Sequence, residues 1–260
     1  AAHRVIDDII LNNAQSIPIN FSVTCGPSFR QFRGESIDSR LRLSALMFRL
    51  QPQGAAMTVA VDESETFFMD PEKFRTAELS DSTVYKNETT LRVTRNLANS
   101  VLMVADTIRR AGDYERSAKL ARVAHERVPH NRDGIEFLAE LLSTSGKHQE
   151  LEELIGEARP EEIERLRIFQ ARGLRKSKEN DQATRILQEL LIENPQCEAC
   201  FEELLRLHVE NKQHDQLLEL VKQFVSYNPT HQRARGMLPQ LERMAAERAD
   251  SISKPTDDSL

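Results

Sequence analysis

The chain has 260 residues, and its 35 basic and 41 acidic side chains give a formal net charge of −6. That balance excludes a globally basic surface for nucleic acid, and 5% aromatic residues without a single Trp argue against a compact β-sandwich. Only nine glycines and ten prolines interrupt the chain, which favours helix. The sequence contains no apolar run near the ~20 residues that cross a bilayer.

The first ten residues, AAHRVIDDII, contain neither an initiator Met nor the basic region of a targeting signal. We therefore expect the chain to be a piece of a longer protein.

Residues 1–90 are predicted to form a small α/β cap module. Its predicted elements are a helix over 2–14, a strand over 18–24, a segment at 41–50 that is ambiguous between helix and strand, a strand over 57–61 and a helix over 63–69.

From about residue 91 the chain carries an internal repeat. A short polar turn sequence, called the repeat phrase below, begins at Gly112, Gly146, Lys178 and Lys212. The intervals are 34, 32 and 34 residues, and each phrase lies between two helical patterns. Two helices per unit and a period near 34 are typical of tetratricopeptide repeats. We predict a mainly α fold: a tetratricopeptide-type α-solenoid of about four helical hairpins plus a capping helix over 91–250, then a disordered tail over 251–260.

Aligning the phrases places Ala105, Ala139 and Ala171 at the close-packing position of the first helix in three units. Leu205 stands there in the fourth unit, which is therefore expected to be splayed. One hairpin cannot bury its apolar stripe alone, so stacked neighbours are expected to complete the core. Pro239 is expected to limit the start of the capping helix.

Two segments of the cap module carry a family resemblance. Residues 18–24 (PINFSVT) resemble the "R-P-I-Y-F-A-V-T" strand of GT-C-type protein O-mannosyltransferase-like membrane glycosyltransferases, and residues 46–52 (LMFRLQP) resemble that family's "G-L-V-Y-R-L-V-P". Val84-Tyr85, Arg92 and Asn96 fit the continuation, so the resemblance spans about residues 5–130. The departures are Ile17 for a basic residue, Asn20 for an aromatic one and Ser44-Ala45 for Glu-Gly.

The resemblance implies that the chain is the soluble C-terminal region of such a glycosyltransferase, on the periplasmic or lumenal side of a membrane. The tetratricopeptide repeats predicted after this region are similar to those that follow the corresponding region in the family. The membrane portion that holds the family's catalytic residues is not in this chain, so none of them is carried over. Without the resemblance, the expected location is cytoplasmic.

No catalytic, cofactor or metal set is recognisable in the sequence, and we expect the chain not to be an enzyme. Cys197 and Cys200 form a CxxC, for which two helix-packing thiols are favoured over a local disulfide or metal site. His125-Glu126 begins an HExxH-like run that fails at Pro129.

Two further groups of polar residues are candidate sites. His208 and His214 flank a predicted turn and are expected at the surface. Asp62, Glu63 and Glu65 form an acidic cluster that could bind a cation, but a solvated helix start is favoured.

The first helices of the repeats predict a basic groove. Guanidinium groups bind carboxylates bidentately, so this face is suited to an acidic peptide. The alternative is a solvated face neutralised by Glu161, Glu162 and Glu164. The predicted groove residues are Arg109, Arg110, Arg165, Arg172, Arg175, Lys176 and Arg206.

Two functional hypotheses follow from these patterns. The first is a non-catalytic tail of a membrane protein O-glycosyltransferase-like protein that positions a polypeptide acceptor through the repeat groove. The second is a free-standing tetratricopeptide scaffold that assembles a protein complex unrelated to glycosylation. In both, the partner is a protein or peptide of acidic character, with no cofactor and no nucleic acid, and with a membrane involved only through a missing upstream segment.

Overall fold

A computed structural model describes residues 2–13, 17–76, 79, 85–128 and 132–253. The protein is mainly helical and has a small mixed sheet near its N-terminus. Its internal contacts divide the chain into two compact units, residues 1–141 and residues 142–260. Among the described residues, no helix is long and apolar enough to cross a membrane.

The first unit opens with a helix and six short strands. They are α1 (Ala2–Asn13), β1 (Asn20–Ser22), β2 (Gln31–Phe32), β3 (Glu35–Ser36), β4 (Leu41–Ser44), β5 (Met47–Leu50) and β6 (Thr58–Val59). The larger sheet has the order β1-β5-β4-β6, antiparallel except for β4 with β6, and β2 pairs with β3 in a separate hairpin. The predicted helix over 2–14 and the strands within 18–24 and 57–61 are confirmed, whereas β2 and β3 were not predicted.

The ambiguous segment at 41–50 is a β-hairpin, β4 and β5. Leu43 and Phe48 face each other across it and point into the core, both buried. The turn passes through Ala45 at φ +50, a left-handed conformation that non-glycine residues rarely adopt. The buried hydroxyl of Ser64 accepts a 2.9 Å hydrogen bond from the Ala45 amide, which satisfies the turn.

The first helical hairpin belongs to the same compact unit as the cap. The helices of this unit after the sheet are α2 (Val61–Met69), α3 (Glu88–Arg110), α4 (Tyr114–Arg127) and α5 (Arg132–Thr144), and α3 and α4 form the hairpin. α2 packs on α3 and α4, and Arg116 of α4 forms ion pairs with Asp62 and Glu65 of α2. Two members of the acidic cluster are thus held by one arginine. The contacts place no boundary at residue 90, and a cap that folds by itself stays a prediction.

The second unit consists of successive helices, each packed on the next. After the end of α5 come α6 (His148–Glu157), α7 (Pro160–Lys176), α8 (Asn180–Glu193), α9 (Glu198–Glu210), α10 (His214–Tyr227) and α11 (Gln232–Ser253). α7 also contacts α9. Asn194 and Asn228 end α8 and α10 because each precedes a proline, as the sequence predicts. Pro160 occupies the first turn of α7, where its missing N–H costs nothing.

The four repeat phrases have one local geometry. Gly112, Gly146, Lys178 and Lys212 all adopt positive φ, at +92, +71, +65 and +56 degrees. In every case the next amide donates to the carbonyl five residues back, with distances of 3.3, 2.9, 2.8 and 2.8 Å. This is the hydrogen bond of a Schellman-type helix end, and it reverses the chain into the second helix. The predicted repeat is therefore present as a recurring helix-turn-helix geometry.

The three predicted close-packing alanines are buried, and so is Leu205 of the fourth unit at 7% exposure. A splayed fourth unit stays a prediction.

The expectation that Pro239 limits the capping helix is wrong, because α11 begins at Gln232 and continues through Pro239. Pro239 lies on the exposed side, while Met237, Leu238 and Leu241 pack on the core. The predicted disordered tail over 251–260 is wrong for residues 251–253, which belong to α11. Its other residues, 254–260, lie outside the described residues.

Two side-chain expectations are wrong. Cys197 and Cys200 are joined by a disulfide rather than remaining free thiols, and both are buried at the start of α9. Their separation of three residues at a helix N-terminus brings their Cα atoms to 5.3 Å, inside the range that a disulfide spans. His208 is buried rather than exposed, and its Nδ1 lies 2.9 Å from Oε1 of Gln213 across the turn.

Candidate interaction site

A buried carboxylate organises the basic residues of the second unit. Glu203 of α9 is 1% exposed, and three guanidinium groups surround it. Arg172 Nε donates to Glu203 Oε1 at 2.7 Å, and Arg206 Nη1 donates to the same oxygen at 3.1 Å. Arg175 Nε lies 3.8 Å from the other oxygen, Oε2. We call Arg172, Arg175 and Arg206 around Glu203 the arginine cluster.

Helical spacing explains how the arginine cluster is assembled. Arg172 and Arg175 are three residues apart on α7, so they occupy neighbouring positions on one face. Arg206 follows Glu203 by three residues on α9 and reaches back to it in the same way. Because α7 packs on α9, the two pairs meet.

The cluster carries more positive than negative charge. Besides Glu203, its acidic partner is Glu210, whose Oε1 accepts from Arg175 Nη1 at 2.7 Å. Three guanidinium groups thus face two carboxylates. A buried carboxylate needs such partners, since an uncompensated charge away from water costs several kcal/mol.

The hydrogen bonding of the cluster is incomplete. Arg175 Nε and Glu203 Oε2 are both buried, and neither has a hydrogen-bond partner among the described residues. The exposed part of the cluster is Arg206, with 55% of its side chain accessible, and Arg172, with 38%. Arg172 also lies over the Phe169 ring at 5.5 Å. The surface therefore presents the guanidinium groups of Arg172 and Arg206, and their hydrogen bonds to the buried Glu203 fix their orientation.

The other predicted groove residues of this unit lie outside the cluster. Arg165 is exposed near the start of α7. Lys176, also exposed, donates from Nζ to Thr144 Oγ1 at 3.3 Å. Both sit on the helix that supplies Arg172 and Arg175, and neither contacts Glu203.

Arg109 and Arg110 belong to the first unit, where both bind one carboxylate. Arg109 Nε donates to Asp106 Oδ1 at 3.0 Å, and Arg110 Nε lies 2.7 Å from Oδ2. The hydrogen bond with Asp106 raises the pKa of the Arg109 guanidinium above its usual value. That guanidinium also lies 5.9 Å from the centroid of the Phe137 ring. These contacts hold the end of α3.

Arg172, Arg175 and Arg206 are neutralised by acids other than those that the sequence suggested. Glu162 is buried and closes a capping box with Arg159, and Glu164 accepts from Asn194. The partners of Arg172, Arg175 and Arg206 are Glu203 and Glu210, on α9. A signal for Glu203 was present: it stands within the apolar pattern of α9, between the buried residues Cys200 and Leu207. A single acid in such a stripe indicates a buried partner.

The described residues gather no group of three or more His, Cys, Asp or Glu side chains that could hold a metal ion. Comparison of the chain with family models and with curated proteins finds no match. The arrangement is chemically suited to binding a carboxylate through exposed, preoriented guanidinium groups.

Proposed function

We propose that the second unit is a tetratricopeptide-type interaction module that binds an acidic polypeptide segment through the arginine cluster. The observation that carries this proposal is the convergence of Arg172, Arg175 and Arg206 on the buried Glu203. Guanidinium groups that are already oriented lose less conformational entropy on binding, which favours affinity for a carboxylate.

The tetratricopeptide assignment is supported by the recurring turn. The left-handed residue recurs at intervals of 34, 32 and 34 residues, with the same hydrogen bond each time. That period, with two helices per unit, is typical of tetratricopeptide arrays. In such arrays the first helices of successive units line the inner face, and α7 and α9 are first helices.

The wider role that we propose is the positioning of a polypeptide acceptor for a membrane O-glycosyltransferase-like protein. Support comes from the resemblance of residues 18–24 and 46–52 to that family. A free-standing scaffold is the competing hypothesis, and it makes the same use of the arginine cluster. Reading the parent gene separates the two: a series of membrane spans encoded before residue 1 supports the first, and a start codon at that point supports the second.

Binding is tested with a fluorescein-labelled decapeptide of alternating Glu and Ala, titrated with the full chain and followed by anisotropy. Arg206→Gln removes an exposed guanidinium, while Glu203 keeps its bond to Arg172. We expect this variant to bind the peptide about fivefold more weakly, which corresponds to ~1 kcal/mol.

The matched control is Arg185→Gln, an identical change at an exposed position of α8. It should leave the dissociation constant within about twofold. Equal weakening in both variants would indicate non-specific charge attraction. That result, or no binding by the unaltered chain, contradicts the proposal.

A further inference from the structure

A second basic site lies in the first unit, independent of the arginine cluster. A cavity of about 890 Å³ opens between α1, the β2–β3 hairpin and the ends of β1 and β5. This volume is near the upper end of the range typical of small-molecule sites. Its walls combine the side chains of three arginines with those of apolar residues.

The three arginines of the cavity are Arg33, Arg40 and Arg49. None of them forms an ion pair with a carboxylate of the described residues, unlike Arg30 nearby, which is paired with Asp38 at 2.7 Å. Arg40 donates from Nη2 to the Gln51 carbonyl at 3.0 Å, but its buried Nε has no acceptor in the described part of the chain. An unsatisfied buried donor is rare and indicates a missing partner.

The backbone fixes two of these arginines at the cavity. Arg33 and Gly34 form the β2–β3 turn with φ values of +54 and +84 degrees, and the Arg33 amide donates to Asp7 of α1 at 2.8 Å. Arg33 therefore occupies a strained conformation that the contact with α1 holds in place. Arg49 lies on β5, where Nε donates to Asn20 at 3.3 Å.

Positive charge accumulates on this part of the unit. Arg42 is the cross-strand neighbour of Arg49, and like charges at directly opposed positions destabilise a sheet. Residues 17–60 contain five arginines and two acids, a formal charge of +3 within a chain of −6. A bound anion would remove both the repulsion and the unsatisfied donor.

The remaining wall of the cavity is apolar. Leu11 and Ile17 are 55% and 58% exposed there, although both are large hydrophobic residues. Ile19 and Phe32 extend the same wall. An inorganic anion would leave this surface in water, whereas an aliphatic group would bury it.

We propose that this cavity binds an anionic amphiphile, a carboxylate or phosphate headgroup attached to an aliphatic chain. The headgroup accepts hydrogen bonds from Arg33, Arg40 and Arg49, and the chain lies against Leu11 and Ile17. Guanidinium groups suit both headgroups because their planar N–H pairs match two oxygens.

Isothermal titration calorimetry of the full chain tests the site, with dodecanoate and dodecyl phosphate kept below their micellar concentrations. Both anions should bind, and dodecyltrimethylammonium, which has the same aliphatic chain with a cationic head, should not. Arg49→Gln should weaken binding about tenfold, as expected for a lost charge-assisted hydrogen bond. Arg95→Gln is the matched control, an identical change at an exposed position of α3 that does not line the cavity, and should change affinity by less than about twofold.

Further experiments distinguish a free amphiphile from a membrane lipid as the ligand and check that the variants fold. Arg49 and Ile17 are exposed, so circular dichroism of Arg49→Gln and Ile17→Ser should match that of the unaltered chain, and Ile17→Ser should also weaken binding. Vesicles of phosphatidylcholine with phosphatidylglycerol replace the free amphiphile in a sedimentation assay. Binding of vesicles without binding of the free amphiphiles overturns the proposal, as does equal binding of the cationic amphiphile or equal loss in Arg95→Gln and Arg49→Gln.

Discussion

Arg172 of α7 and Glu203 of α9 are joined by a 2.7 Å hydrogen bond between residues 31 positions apart in the chain. The carboxylate is buried and the guanidinium reaches the surface. One ion pair therefore ties two helices together and orients a charged group that a partner can contact. Stability and the proposed binding share this pair, so they must be tested by different substitutions.

Glu203→Gln should be strongly destabilising. The change keeps the shape of the side chain but leaves three guanidinium groups around a neutral amide, one of them only 19% exposed. Breaking a buried ion pair from one side typically costs about 3 kcal/mol. Urea unfolding followed by circular dichroism measures the loss.

Glu210→Gln is the control for that loss, because Glu210 lies on the same helix with 51% of its side chain exposed and binds Arg175. An exposed pair contributes ~1 kcal/mol or less. Similar midpoints for the two variants would show that burial of Glu203 does not matter.

Lys178→Gly should stabilise the chain. Lys178 holds a left-handed conformation at φ +65, which costs a residue with a Cβ about 1–2 kcal/mol. Glycine loses about 0.5–1 kcal/mol more backbone entropy on folding, so the expected gain is about 0.5–1 kcal/mol.

The reciprocal change is Gly146→Ala, at the equivalent turn with φ +71 and open space around the added methyl group. It should destabilise by about 0.5–1 kcal/mol, because the strain of about 1–2 kcal/mol is partly offset by the backbone entropy that glycine would have lost. Thermal unfolding of both variants gives the comparison. Shifts of the same sign would contradict a shared turn geometry.

Gly173→Ala should destabilise the second unit although alanine favours helix. A Cβ at position 173 would lie 3.0 Å from Ser143 Oγ and 3.1 Å from the Ser143 carbonyl oxygen. Overpacking of this kind costs about 1–3 kcal/mol, more than the ~1 kcal/mol of helix propensity that alanine supplies.

Gly236→Ala provides the comparison in α11, where an added methyl group meets nothing within 4 Å. It should stabilise by about 0.5–1 kcal/mol. If Gly173→Ala raises the unfolding midpoint as Gly236→Ala does, the close approach at Ser143 is not a constraint on the fold.

The helices could be predicted because their signals are local and repeated. The turn phrases beginning at Gly112 and Gly146 recur with regular spacing, and an Asn-Pro pair ends two of the second helices. The β4–β5 hairpin was ambiguous since Ala45 occupies a position where Asn or Gly usually marks the turn. The prediction that Pro239 limits the capping helix was wrong because a proline on an exposed helix face removes one backbone hydrogen bond without displacing the packed residues beside it.

The candidate site was predictable only in part. A cluster of arginines on α7 is visible in the sequence, but the partner of Arg172 comes from another helix, and sequence spacing does not identify it. Charge reversal at Arg172 or Arg175 is not a clean test of binding. Both residues hold the buried carboxylate, so reversal there would place like charges in contact inside the unit. Arg206 is the better position.

Hydrogen exchange of the full chain, with and without the alternating Glu-Ala decapeptide, tests the central claim most directly. If the arginine cluster receives the peptide, amide exchange should slow in residues 165–176 of α7 and 203–210 of α9, and should be unchanged in α8 and α10. Peptide binding that slows exchange only outside α7 and α9 would contradict the account.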